Sequence, residues 1–419
     1  MALIKKPVNG MKDILPREMR IRDYLIALIK DTYRSFGFTP IETPVVESLP
    51  NLLSKQGGDN EKLIFKVMKR GEKFRPFDGA SEEDLADSGL RYDLTVPLVR
   101  YYANNANDLP RPFKALQIGP VFRADRPQRG RFREFYQCDI DIIGESGNLA
   151  EIELILATST LLGRIGFKGF TVHINDRRIL RAMASAAGVR DEDCDKVFII
   201  LDKMDKIGAE GVSRELSEIG YGQEVSGAYL EMFEKIREAE EPLKALSTLL
   251  EGHIGEDVIG NLDTIINACR KGAEADFNLV FDPSLVRGMG YYTGPIFEIE
   301  IGDFGSSCGG GGRYDRMVGK FTGQDAPACG FSVGFERIIT ILMEQGYEVP
   351  GTAGRVAFLV EKGMPAERLS QVMDEARSLR AEGLEVSVVT MAKNKKFQKE
   401  QLSGEGFESF REFYINPLS

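Results

Sequence analysis

Phe122-Arg-Ala-Asp-Arg-Pro-Gln-Arg-Gly-Arg-Phe-Arg-Glu-Phe-Tyr-Gln-Cys-Asp-Ile-Asp-Ile-Ile-Gly144 carries two patterns in succession. Side chains of a strand alternate between its faces. From Phe135 onward this puts Tyr136, Cys138, Ile140 and Ile142 on one face, and Phe135, Gln137, Asp139 and Asp141 on the other. An amide and two carboxylates are poor core material, so the second face is expected to line something polar. Just before it, Arg123, Arg126, Arg129, Arg131 and Arg133 fall in a loop broken by Pro127 and Gly130. The whole reads as a hairpin with a guanidinium-dense tip, suited to clamping phosphate. An exposed hairpin with a solvated arginine loop fits the same residues equally well.

Outward from this hairpin, strands and helices alternate. Residues 17–36 predict a helix with Ile21, Leu25, Leu28 and Ile29 on one face and Gly37 as its stop. Phe38 to Glu47 is an extended segment punctuated by Pro40 and Pro44, the pattern of an edge strand guarded by prolines. Residues 90–105 predict a short strand entering a helix, with Asp93 and Thr95 on a shared face. Asn148 with Glu151 opens a further helix in capping-box style, ending near Gly166. Residues 291–302 predict a strand with Phe297, Ile299 and Ile301 inward and Glu298 and Glu300 outward, after which the glycine-rich stretch 304–312 turns the chain. Such an order points to the α+β class, an antiparallel sheet flanked by helices. Between 177 and 272 charged helical patterns dominate, as in a helical insertion. Beyond Pro350-Gly351, strand 355–361, helix 365–382 and strand 384–390 make a βαβ unit, and Lys393, Lys395, Lys396 and Lys399 open a further helix. Those lysines suit a solvated helix face as well as RNA contact.

The 419 residues are 42% hydrophobic and 28% charged, as expected of a soluble globular chain of two or three domains. No apolar run is long enough to span a bilayer, and the N-terminus lacks a signal-peptide core, so no membrane partner and a cytoplasmic location are expected. Cys138, Cys194, Cys269, Cys308 and Cys329 are scattered without a CxxC pair, which disfavours zinc clusters and disulfide frameworks. A formal net charge of −10 argues against indiscriminate nucleic-acid binding and leaves room for a local basic patch. Only His173 and His253 occur, neither in a nucleophile-like motif, and His173 in Phe170-Thr-Val-His-Ile-Asn175 reads as structural. Any catalysis should therefore depend on positioning and arginine electrostatics.

Four blocks carry a resemblance to class II aminoacyl-tRNA synthetases, specifically to histidyl-tRNA synthetases. The opening hairpin resembles motif 2. Gly330-Phe-Ser-Val-Gly-Phe-Glu-Arg337 resembles motif 3. Leu285-Val-Arg-Gly-Met-Gly-Tyr-Tyr-Thr-Gly294 and Gly309-Gly-Gly-Gly-Arg-Tyr-Asp315 resemble the two blocks particular to the histidyl subfamily. The segment 38–47 is similar to motif 1, which in this class builds a homodimer interface. The resemblance runs over about residues 8 to 345. It implies a catalytic core over 1–176 and 273–347, a helical insertion over 177–272 that meets the tRNA acceptor stem, and a shortened anticodon-binding-like α/β domain over 352–419.

The chemistry implied is activation of L-histidine by ATP, with Mg2+ on the outer phosphates, followed by transfer to tRNA(His). Arg123 would hold the α-phosphate and the bound carboxylate, with Arg287 opposite it. Arg131 and Arg337 would take the outer phosphates, and Asp125 would help to orient ATP. Asp141 and Tyr292 match the positions that read the two imidazole nitrogens. Asp93, Thr95 and Gln137 match those that hold the α-amino group. Tyr291, Tyr314 and the glycines 309–312 would shape the pocket, although Tyr291 and Tyr292 also suit aromatic core. The family shows an acidic residue where this chain has Gly290. A regulatory relative of the same fold, the partner of a short ATP phosphoribosyltransferase in histidine biosynthesis, is the alternative. Those relatives typically lose the arginines that are kept here.

Overall fold

The computed structural model describes residues 3–53, 62–71, 74, 77, 79–287, 290–305, 307–351 and 354–416. The chain divides into two compact units, Met1–Lys12 with Leu25–Ile341, and Asp13–Tyr24 with Leu342–Ser419.

An eight-stranded sheet organises the larger unit. Its order across the sheet is Thr39–Pro40, Phe113–Phe122, Glu134–Ile143, Ala328–Val333, Gly309–Arg313, Pro295–Glu300, Phe170–Asp176 and Phe277–Phe281. The five inner pairings are antiparallel, as the sequence predicts, and the pairs at the two ends are parallel. Parallel neighbours need a long crossover. Between Phe170–Asp176 and Phe277–Phe281 that crossover is the run of helices from Arg177 to Gly272. The proline-punctuated segment supplies the outermost strand, Thr39–Pro40, in keeping with its reading as an edge.

The arginine hairpin folds as its alternation implies. Phe113–Phe122 pairs with Glu134–Ile143 from Phe113↔Ile143 to Phe122↔Glu134. Cys138, Ile140 and Ile142 are buried on the apolar face, while Phe135, Gln137, Asp139 and Asp141 line a cleft on the other; Tyr136, expected with the first set, is half-buried against Phe335 and also reaches the cleft. Helix Leu149–Ile165, with Leu154, Leu161 and Leu162 among its buried residues, packs against Ala328–Val333. It ends at Gly166, whose φ of 110° favours glycine.

Two local expectations are corrected. Asn148 makes no side-chain cap; Glu151 instead ties Arg313 through two hydrogen bonds of 2.6 and 2.9 Å. A buried guanidinium is a stronger claimant on a carboxylate than an exposed backbone N–H. Gly309–Arg313 is not a turn but a strand near the middle of the sheet. Absent side chains are what that position requires. A Cβ on Gly311 would strike the Gly330 carbonyl, with Phe331 Cα at 2.8 Å, and one on Gly310 would strike the Arg287 guanidinium.

In the smaller unit Glu385–Thr390, Arg355–Val360 and Ser409–Phe413 form a parallel three-stranded sheet. Helix Ala366–Ala381 covers it through Val372, Ala376 and Leu379, against Val356, Phe358 and Val360. The lysine run opens helix Lys395–Gly404, where Lys395 and Lys399 reach Glu412 at 2.8 and 2.6 Å.

Candidate active site

A cleft of about 940 Å3 opens over the polar face of the larger sheet. Arg126, Arg129 and Arg133 of the hairpin loop do not line it, whereas the residues given a role by the resemblance do: Asp93, Thr95, Arg123, Asp125, Arg131, Gln137, Asp141, Arg287, Tyr291, Tyr292, Tyr314 and Arg337. They come from segments spread over 245 positions, so it is the fold that assembles them.

The arginines arrive from three directions. Arg123 leaves the end of its strand with its Nε donating to the Tyr92 carbonyl at 3.0 Å. Its guanidinium lies 4.2 Å from the Tyr92 ring centre and 5.1 Å from that of Phe135. Arg131, in the hairpin loop, is held by Asp125 through its Nε at 3.0 Å and a second nitrogen at 2.9 Å. Arg337 enters from helix Phe335–Glu344 and donates to the Ser307 carbonyl. Arg287 has a φ of 60°, the one left-handed residue other than glycine among those described. Such backbone is strained for a side-chain-bearing residue and calls for a local reason. The Arg287 guanidinium bonds Glu298 at 2.9 Å and lies above Gly310, where no Cβ blocks it. Gly288 and Met289 of the same block lie outside the described residues; Gly290 is exposed.

Beside the arginines is a socket of acceptors and rings. Tyr314 donates to Asp141 at 2.6 Å, while the second Asp141 oxygen is buried without a partner among the described residues. Burial pushes the Asp141 carboxyl up to about 7, with the Tyr314 hydrogen bond acting the other way. Tyr291 packs against Tyr292 at 4.7 Å and edge-on to Tyr314 at 6.1 Å. Tyr291 and Tyr292 pack on the buried Val96, Val99 and Met317 cluster, as aromatic core does, and also line the cleft. Asp93 accepts from the Val96 N–H at 3.0 Å at the start of helix Thr95–Asn105.

Three further wall residues, Asp139, Glu298 and His173, have no binding role in the sequence reading. Asp139 is buried beneath Gln137 and bonded by the Ser332 hydroxyl at 2.5 Å. Burial and neighbouring Asp141 push its carboxyl well above the usual range. Its place on the polar face was readable, but its partner is almost two hundred residues away. Glu298, expected outward, faces the cleft and Arg287. His173 is on the wall between Asp282 and Glu300, 3.0 Å from each, a structural tie. The Asp282 bond first, and Glu300 after it, push the imidazole up to about 9 against the effect of burial.

The histidyl-tRNA synthetase family model matches residues 10–338. A histidine–tRNA ligase of Leifsonia xyli is 44% identical over 96% of this chain and 94% of its own length. The crystal structure of a histidyl-tRNA synthetase from Nostoc is 27% identical, covers 97% of this chain and 90% of its own, and superposes with a TM-score of 0.76. A Bacillus halodurans structure described as an ATP phosphoribosyltransferase regulatory subunit/histidyl-tRNA synthetase has a TM-score of 0.77 at 20% identity, covers 99% of both chains, and shares the fold. With its family blocks assembled round one cleft and a close relative matching nearly end to end, this chain belongs to the histidyl-tRNA synthetase family.

Proposed function

We propose that the chain is a histidine–tRNA ligase: it activates L-histidine with ATP to histidyl-adenylate and transfers the histidyl group to the 3′ end of tRNA(His). The observation that carries this reading is the meeting, in one cleft, of Arg123, Arg131, Arg287 and Arg337 with the Asp141–Tyr314–Tyr292 socket. The likeness to a histidine–tRNA ligase at 44% identity supports the same reading.

In the first step a histidine carboxylate oxygen attacks the α-phosphorus in line, the bond to the bridging oxygen breaks, and pyrophosphate leaves with its electron pair. Negative charge spreads over the phosphate oxygens, and preorganised guanidinium groups stabilise it with little rearrangement. Arg123 and Arg287 are assigned to the α-phosphate, and Arg131 and Arg337 to the outer phosphates, with Asp125 acting as the brace of Arg131. In the second step the tRNA terminal hydroxyl attacks the acyl carbon, the bond from that carbon to the phosphate oxygen breaks, AMP departs with the electron pair, and the hydroxyl proton passes to a phosphate oxygen of the departing AMP.

Histidine is read by what it donates. The free Asp141 oxygen suits one ring N–H, Tyr292 the other nitrogen, and Asp93, Thr95 and Gln137 the ammonium. An apolar analogue would leave these buried groups unpaired and be rejected strongly. Magnesium fits as a companion of the nucleotide. Among the described residues no group of three or more His, Cys, Asp or Glu could cage an ion, and Mg2+ commonly takes its oxygens from phosphates and water. A homodimer built through the 38–47 segment and a cytoplasmic location complete the proposal.

The test is histidine-dependent exchange of labelled pyrophosphate into ATP, abolished by Arg123→Ala or Arg287→Ala. No exchange with the unaltered protein would defeat the catalytic reading. Exchange without charging of tRNA(His) would defeat the second step alone.

A further inference from the structure

Gln137 has two possible faces, and the structure assigns one. The Ser332 hydroxyl donates to Asp139 Oδ1 at 2.5 Å, so its proton is committed and its oxygen is left to accept. Gln137 Nε2 fills that role at 3.1 Å and also points at Asp139 Oδ2, 3.5 Å away. The amide is thereby turned with its NH2 toward Asp139 and Ser332. Gln137 Oε1 is left as a buried acceptor that no donor among the described residues reaches. Across the sheet from Asp139, Gln117 is occupied by the Leu94 carbonyl and the Thr43 hydroxyl.

We propose that Asp139 is a positioning residue for amino-acid recognition: through Ser332 it fixes the Gln137 amide so that its carbonyl oxygen, and not its NH2, meets the substrate ammonium. An ammonium has donors only, so a reversed amide would oppose donor to donor. The Ser332 limb holds for charged Asp139 and for neutral Asp139 with its proton on Oδ2, where Oδ1 is still a carbonyl acceptor and the Oδ2 oxygen keeps lone pairs that an asparagine NH2 lacks. Asp139→Asn would break the arrangement from the other side. With its amide carbonyl on Ser332, its own NH2 would face the NH2 of Gln137. This inference rests on the reading of the cleft as a histidine-activating site.

Histidine-dependent pyrophosphate exchange in Asp139→Asn, Ser332→Ala and Ser332→Thr tests it. The expected result is a KM for histidine raised about tenfold in the first two, with kcat and the KM for ATP within about threefold of the unaltered protein. Ser332→Thr, which keeps the hydroxyl, should recover most of the loss. In a Gln137→Ala background, Asp139→Asn should add nothing further, since its effect passes through that amide. An unchanged KM for histidine in the single variants overturns the proposal, as does a full additional loss in the double variant. A parallel fall in kcat and in ATP affinity overturns it too, because that reports general loosening of the site. Absence of exchange in the unaltered protein defeats the ligase reading and this inference together, and so is told apart from failure of the inference alone.

Discussion

Tyr314 gives its hydroxyl proton to Asp141 Oδ1 at 2.6 Å, across a gap that Gly330 leaves open. A Cβ on Gly330 would strike that carboxylate oxygen and lie 3.2 Å from the tyrosine ring. The pair is therefore set by three chain segments: a hairpin strand, the residue after the glycine strand, and the opening of the motif 3 strand. It presents one satisfied and one unsatisfied carboxylate oxygen to the cleft.

Histidine affinity should depend on pH through this carboxylate. Asp141 is held near 7 by burial, with Asp93 raising and Tyr314 lowering it. Between about 3.8 and about 7 the folded protein carries a proton there that the unfolded chain does not. That contribution to stability is fully present at acid pH and is lost as pH rises through about 7. Ionisation then supplies the acceptor that an imidazole N–H needs. Protection of the protein by histidine, measured as a rise in Tm, should accordingly grow from pH 6 to pH 8. Asp141→Asn should flatten the growth, and because titration of free histidine is common to both proteins, the difference isolates the carboxylate. Equal slopes in the two proteins would remove Asp141 from the account.

Gly330→Ala and Gly311→Ala should fail differently. At Gly330 the added carbon meets side-chain atoms of Asp141 and Tyr314, which can shift apart. The KM for histidine should rise at least tenfold with stability lowered by about 1 kcal/mol. At Gly311 it meets the backbone of Gly330 and Phe331, which cannot move without parting two strands. A loss of about 3 kcal/mol or outright failure to fold follows there. Urea unfolding beside pyrophosphate exchange separates the two outcomes.

Arg313 and Glu151 form a buried two-bond pair, with side-chain exposures of 9% and 1%. Arg313 also donates to the carbonyls of Glu145 and Gly147, so it ties the glycine strand to the start of helix Leu149–Ile165. Removing one partner strands the other charge, which typically costs about 3–5 kcal/mol. Glu151→Ala should therefore lower urea stability by that much, and Glu151→Gln by less, since the amide oxygen still accepts.

These cases show what the sequence exposes and what it hides. The alternation from Phe135 to Ile142 was readable because a strand's period is local, and the fold kept it. The glycine run 309–312 read from its own residues as a turn, and as a pocket wall only through the resemblance. Its role as an inner strand depends on Phe297, Gly330 and Arg287 approaching from elsewhere. Glu151 sits where a capping box predicts it, yet a guanidinium 162 residues on claims it. Local period survives folding, whereas the partner of a buried charge is decided by topology.

Arg287 offers the sharpest separation of stability from activity. Its φ of 60° is a conformation that glycine adopts freely and other residues adopt at a cost of about 1–3 kcal/mol. Its guanidinium offsets part of that through Glu298, but Glu298 is itself a third exposed, and such pairs contribute about 1 kcal/mol or less. Arg287→Gly should relieve the strain and match or exceed the parent in urea stability. Arg287→Ala keeps a Cβ in the left-handed region and should be less stable than Arg287→Gly by about 1 kcal/mol. Both should lose pyrophosphate exchange, because neither carries the guanidinium. A glycine variant less stable than the alanine variant would mean that the backbone at 287 is not strained. Exchange surviving in either would mean that the strained arginine serves something other than the reacting phosphate.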